Sequence, residues 1–392
     1  MHFQHYSVRA VTVRVAVRAT LLDWAQKRSR IAPPNLDTRF PDLDEWKAGT
    51  KEPTLKQLEK FAHATHTPIG FLFLSEPPDE SLPVPDFRTI GDTEIGRASP
   101  DLLDTVYQCQ QRQEWYRDYA KVHREEPVPF VGTFAVGMDV VGAAAQMSAV
   151  LSFAPDKRGA SWSEAFRRLL EEADRHGVLV MVSGIVGSNT HRKLDPREFR
   201  GFALADELAP VIFVNGSDTK AAQIFTLAHE LVHIWLGESG VDDSEMSSSP
   251  SNTTERWCND VAAEFLLPAA TLRGVAVDRD NLPDDLERLA RQFKVSTLVV
   301  LRRLFNTGYL TLSQYRDEYA DELKRILAIL EERPSGGGNF YYTQPVRVSK
   351  RFARALIEST LEGQTLHRDA FRMLGFKKVS TFNELAIRLG VG

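Results

Sequence analysis

Phe225-Thr226-Leu227-Ala228-His229-Glu230-Leu231-Val232-His233 places two imidazoles four residues apart. On an α-helix that spacing puts both on one face, where they can grip one zinc ion. Glu230 follows the first histidine, about 100° round the helix, where it reaches a metal-held water rather than the metal. With ten histidines in the chain, such a frame arises by accident on the order of a per cent of the time, and many accidental frames fall on loops. Here Ile224, Leu227, Ala228, Leu231 and Trp235 recur at helical spacing and form an apolar stripe separate from the histidines. Ser217 and Asp218 offer an N-cap and Gly237 an end. The alternative is a pair of satisfied structural histidines.

A zinc held by two histidines needs a third protein ligand and an open position for water. A third histidine in the metzincin pattern is excluded, because Leu236 and Ser239 stand where that pattern wants Gly and His. The next helical segment, Thr254 to Leu267, offers Glu255 and Glu264. Nine residues is about 900° of rotation, so the two point to opposite faces and only one can reach the metal. Glu255 is the favoured ligand, with Asn259 one turn further on the same face to hold it in place. A capping box between Asn252 and Glu255 is the competing reading, and Glu264 stays open as the other carboxylate. The chemistry expected of the set is peptide hydrolysis. Zinc brings the pKa of its water to about 7, and Glu230 passes the proton from water to the leaving amine. Strand Val211 to Val214 is expected to pair with an extended substrate, and His191 and Tyr309 are candidates for holding the oxyanion.

The bulk composition fits this. A chain of 392 residues, 43% hydrophobic and 26% charged, is too long for one ordinary core. The net charge of -5 provides no global pull toward nucleic acid. Two cysteines, Cys109 and Cys258, exclude a disulfide framework and suit a reducing cytoplasm. The longest apolar run, Val178 to Gly187, is too short to span a bilayer, so neither export nor a membrane anchor is expected.

The expected organisation is α+β, in three parts. Residues 1–85 form a small helical, helix-turn-helix-like domain: a strand over Val8 to Val17, helices at Leu21 to Lys27, from Pro33, at Leu43 to Lys47 and at Leu55 to Thr65, then a proline-stiffened connector. Residues 86–332 form the central domain, with helices Leu102 to Lys121 and Trp162 to His176, strands Val178 to Val182, Phe199 to Leu204 and Val211 to Val214, and then the histidine helix. A Ser-rich loop at 247–251 precedes the second metal helix. The pair around Leu286 to Ala290 and Leu298 to Leu304 resembles a helix-turn-helix but reads better as a core hairpin. A glycine linker, 333–338, leads to a basic helical tail domain, 339–392. No internal repeat is present.

The runs Phe199 to Ala203, Pro210 to Asn215, Phe225 to His233 and Glu255 to Pro268 together resemble the ImmA/IrrE family of gluzincin-like zinc peptidases. Trp46, Gly49, Pro53-Thr54 and Leu55 to Leu58 resemble the degenerate XRE-type helix-turn-helix often fused to it, so the likeness covers nearly the whole chain. The resemblance implies one zinc per chain held by His229, His233 and Glu255, with Glu230 as the base; the Glu255-x-x-x-Asn259 pairing looks like the Glu-x-x-x-Asp of thermolysin-type gluzincins. It implies a regulator that cleaves a repressor or antitoxin-like partner, often encoded beside a toxin.

The first domain departs from a good operator reader. Its recognition segment carries Asp42, Asp44 and Glu45 against Lys47, and acids facing phosphates repel. Residues 1–75 nonetheless hold 11 Lys and Arg against 7 Asp and Glu, so DNA contact through residues 18–75 stands beside a protein-docking role. The alternatives to the peptidase are a non-catalytic DNA-binding transcription regulator and an antitoxin that masks a neighbouring toxin by contact.

Overall fold

The structure is a computed structural model and describes residues 13–29, 31, 33–86, 89–90, 93–94, 98–242, 253–278, 281–331 and 346–391. The chain divides into two compact units: Met1–Leu82 with Gly96–Leu103, and Pro83–Ile95 with Asp104–Gly392. The Ser-rich loop and the glycine linker expected from sequence lie outside the described residues, as does the first part of the expected N-terminal strand.

The first unit is helical: α1 (Ala19–Arg28), α2 (Pro33–Arg39), α3 (Leu43–Ala48) and α4 (Leu55–Ala64), then a 3-10 turn at Ile69–Phe73. Thr54 and Gln57 close a reciprocal capping box that starts α4. Leu21, Leu36, Leu58, Phe61 and Trp46 form the core, with Phe40 edge-on to Phe61 at 5.4 Å between ring centroids. Of the expected strand, the described part makes a single bridge, Arg14 to Thr54.

The second unit is built on a sheet of order β3-β5-β4-β6, comprising β3 (Leu179–Ser183), β4 (Gly201–Leu204), β5 (Val211–Asn215) and β6 (Gly240–Asp242). A short hairpin, β1 (Thr89–Ile90) and β2 (Thr93–Glu94), precedes it. β3 runs parallel to β5, and β4 is antiparallel to both β5 and β6. β5 therefore lies inside the sheet with both edges paired. The expected substrate-pairing role of Val211 to Val214 is corrected by this topology, since every ladder position of that strand is already used.

Side chains alternate across the sheet. Val180, Val182, Ala203, Ile212 and Val214 face the main core, which is covered by α7 (Trp162–Arg175), α8 (Lys220–Leu236) and α9 (Thr253–Leu266). On the other face, Phe202 stacks on Phe213 at 5.1 Å, and Met181 meets Cys109 and Arg112 of α5 (Pro100–His123). Among the elements without a sequence expectation are the β1–β2 hairpin, β6, which is three residues long, and α6 (Val140–Leu151), a small-residue helix capped by Asp139 that packs on α9.

After α10 (Ala269–Leu272) come α11 (Leu282–Phe293) and α12 (Thr297–Asn306), joined through Lys294 in the left-handed region. Their apolar faces lie in the main core, so this pair is a packed hairpin. α13 (Leu312–Glu331) follows. Residues 346–391, expected as a separate tail domain, form α14 (Lys350–Leu361), α15 (His367–Leu374) and α16 (Val379–Arg388) within the same compact unit as the sheet. No helix among the described residues is long and apolar enough to cross a membrane.

Close packing of β4 on α8 depends on Gly201. A Cβ there would lie 2.5 Å from Thr226 Cγ2 and 2.9 Å from the Phe213 carbonyl oxygen. Gly201→Ala should therefore destabilise the chain by about 1–3 kcal/mol through overpacking, read as a lower urea midpoint. An unchanged midpoint would show that the strand and helix are not held this closely.

Candidate metal centre

The turn into α8 is built by short polar side chains. Asn215 ends β5, and its amide donates to the Phe199 carbonyl while its Oδ1 accepts from the Ser217 amide. Thr219, not Ser217 or Asp218, is the N-cap, its hydroxyl accepting from the Ala222 amide at 3.1 Å. Asp218 accepts instead from the Thr219 amide and faces Arg200 at 3.6 Å, a buried ion pair at the helix entry. At the far end Gly237 takes φ +73°, and the Glu238 amide reaches the His233 carbonyl. A Cβ on Gly237 would also come within 3.0 Å of Gly132 Cα.

Between these caps, every residue from Gln223 to Trp235 is buried. The apolar stripe accounts for most of that; Trp235 stacks on Phe130 with ring centroids 3.8 Å apart. The titratable exceptions are His229, Glu230 and His233, which are 0%, 0% and 2% exposed. Burying three such groups is costly unless each has a partner that matches it.

α9 supplies the partner. Glu255, in its first turn, places Oε2 3.1 Å from His229 Nε2 and Oε1 3.4 Å from His233 Nε2. The two Nε2 atoms are 3.0 Å apart. Zinc bonds of about 2.0–2.1 Å in a tetrahedral arrangement put neighbouring ligand atoms about 3.3 Å apart, so the three groups fit one ion. Neither Glu255 oxygen makes a hydrogen bond despite burial, and two facing imidazole lone pairs repel unless a cation lies between them. Burial alone would raise the Glu255 carboxyl, but the two imidazoles opposite outweigh this and hold it well below the usual carboxylate range.

Glu264 points the other way, as nine residues of helix require. It forms a buried ion pair with Arg303 of α12 and accepts from the Ala269 amide at 3.2 Å. Asn252, the other half of the competing capping box, is outside the described residues. Asn259 is buried one turn beyond Glu255; its Oδ1 has no hydrogen-bond partner, and no hydrogen bond joins it to Glu255. Glu230 stays out of the ligand set, its Oε1 3.1 Å from the ideal Cβ position of Gly201. Of the oxyanion candidates, His191 is exposed and the Tyr309 hydroxyl donates to the Val277 carbonyl; neither belongs to the cluster of metal-ligating groups. Gly201 stands in the sequence without an assigned role, although a glycine inside a strand is the usual mark of a close approach; the Arg200–Asp218 pair has no local signal.

The arrangement can hold a divalent cation on three protein ligands beside the buried carboxylate of Glu230. Residues 173–305, which contain β3, the histidine helix and Glu255, match a family model described as the IrrE N-terminal-like domain, of peptidase family M78. Residues 348–388 match a domain of unknown function, DUF8813. None of the curated proteins matches the chain significantly. The centre of this chain is accordingly similar to the metallopeptidase-like domain of the ImmA/IrrE family, over a third of its length.

Proposed function

We propose that this protein is a zinc-dependent endopeptidase of narrow specificity that cleaves a regulatory partner, a repressor or antitoxin-like protein. The supporting observation is the meeting of His229, His233 and Glu255 at 3.0–3.4 Å, next to a buried carboxylate that does not join them. Three protein ligands are the complement of a catalytic zinc rather than a structural one. A zinc ion there supplies Lewis acidity, which makes water acidic enough to ionise near neutral pH.

The chain's own residues do the rest. Glu230 takes the proton of the attacking water and delivers it to the leaving amine. Thr226 and Gly201, packed against each other beside it, fix how near the β4 backbone comes to the base. Asn259 contributes a buried amide dipole on the Glu255 face of α9. Narrow specificity agrees with the depth of the groups, because only a chain presented in the right place reaches fully buried imidazoles.

On this reading the first unit docks a protein. α3 is six residues long, and its one cation and the next one after it are already paired: Lys47 with Asp23 at 2.7 Å, and Lys51 with Asp42 at 2.7 Å and Glu45 at 3.2 Å. Exposed Asp44 and Glu45 would face phosphates with the wrong sign.

Purified protein should carry about one zinc per chain, lost in His233→Ala and Glu255→Ala. Glu230→Gln should retain the metal and the melting temperature while lowering cleavage of the small regulatory protein encoded beside it by about 10²–10⁴-fold. Metal analysis and gel-based cleavage read both, and equal cleavage by Glu230→Gln would reject the mechanism. A gel-shift titration on DNA from the neighbouring promoters should show no salt-sensitive shift at low ionic strength; a clear one would return the first unit to operator reading.

A further inference from the structure

On the sheet face opposite the metal centre, one buried charge lacks a counter-charge. Arg112 of α5 is 8% exposed, yet its guanidinium pairs with no carboxylate among the described residues. Its Nε and Nη2 donate to the Met373 carbonyl at 3.2 and 3.0 Å, and Nη1 meets the Met181 thioether at 3.6 Å. A guanidinium has more N–H bonds than these contacts use, and a thioether is a weak acceptor. Burial pulls the Arg112 pKa down, but an arginine keeps its proton at neutral pH. The neighbouring Cys109 thiol does not balance it, because burial pushes that thiol up to about 12 and leaves it neutral. A buried charge is costly unless something of opposite sign stands beside it.

Arg112 lines a small cavity of about 10 Å³, together with Thr105, Gln108, Ser183, Phe213 and Arg347. No aspartate or glutamate is among the residues that line it. Arg347 brings a second guanidinium, and the Thr105 hydroxyl and Gln108 amide are further donors. The space is that of about one water-sized guest, which is too little for sulfate, phosphate or a carboxylate compound. Gln108 and Arg347 are only half-buried, so the wall can yield to a guest slightly larger than water.

We propose that this cavity binds one monatomic anion, chloride, as the counter-charge of Arg112. Size excludes oxyanions, the sign of the lining excludes cations, and water leaves the guanidinium unbalanced. The anion also has a structural task. Arg112 holds the Met373 carbonyl of α15, and Ser188, another lining residue, donates to the Gly375 carbonyl just beyond it. Chloride at this point therefore ties α5 and the end of β3 to the C-terminal helices that cover the sheet.

The test is the melting temperature of the full-length protein as chloride replaces gluconate at constant ionic strength and pH 7. It should rise saturably by about 2 °C or more, with bromide acting alike and sulfate having no effect. Arg112→Met should abolish the rise. Gln108→Ala, at a half-buried position, should weaken chloride about threefold or more and serves where Arg112→Met is too unstable to measure. An open zinc position can also take a halide, so His233→Ala should keep the chloride-dependent rise. Crystals soaked in bromide should show its anomalous peak within hydrogen-bond reach of Arg112. Equal melting in chloride and gluconate, a rise that is lost in His233→Ala, or a bromide peak found only elsewhere would each overturn the proposal.

Discussion

Two imidazoles and a carboxylate buried within 3.4 Å of one another are the constraint around which the second unit is arranged. Groups of that kind gain little from one another when all present lone pairs, and each gives up its hydration. They are tolerable if a shared cation takes the place of water. Holding them together requires two helices to be placed to within about 0.5 Å. The fold supplies this by anchoring α8 at both ends: Thr219 and the Arg200–Asp218 pair at the start, Gly237 against Gly132 at the finish.

α9 shows how one helix serves two purposes through its pitch alone. Glu255 faces the histidines while Glu264, half a turn out of phase, pairs with Arg303, and Asp260 pairs with Arg302 at 2.7 Å. The same helix is therefore bound to α12 by two arginine–carboxylate contacts, and it meets α8 through the face that carries Glu255. Arg303 also donates to the Leu267 carbonyl at the end of α9. Removing Arg303 would leave the buried Glu264 carboxylate without its counter-charge, and the loss would be felt at Glu255 through the position of the helix.

Features set by local periodicity were legible in the sequence. The histidine helix, its Gly237 stop, the opposed carboxylates of α9 and the buried strands β3 and β5 all follow from spacing and side-chain type. Features set by long-range pairing were not. Nothing local to Val211-Ile212-Phe213-Val214 says that it lies inside the sheet, because an interior strand and a covered edge strand are both continuous apolar runs. β6 is too short to show a period at all, and α6, rich in Ala and Gly, has no contrast between its faces. The N-cap shifted from Asp218 to Thr219 because the aspartate is drawn to Arg200, a partner eighteen positions away in sequence.

The C-terminal helices make the same point on a larger scale. A glycine linker and a locally basic composition point to a separate helical tail domain, and residues 348–388 match a domain model of their own; in space they lie within the same compact unit as the sheet, whose second face is apolar and requires cover. α5 and α14 provide it: Phe352 meets Trp115 edge-on at 5.5 Å, Arg112 donates twice to the Met373 carbonyl, and Arg351 joins Tyr116 and Glu125. Asp174, at the end of α7, accepts from the Ser349 hydroxyl and the Arg351 amide. Arg351 of this segment thus serves packing. Since β4 and β5 present one face to this cover and the other to α8, whatever loosens the C-terminal helices also loosens the platform on which the histidines stand.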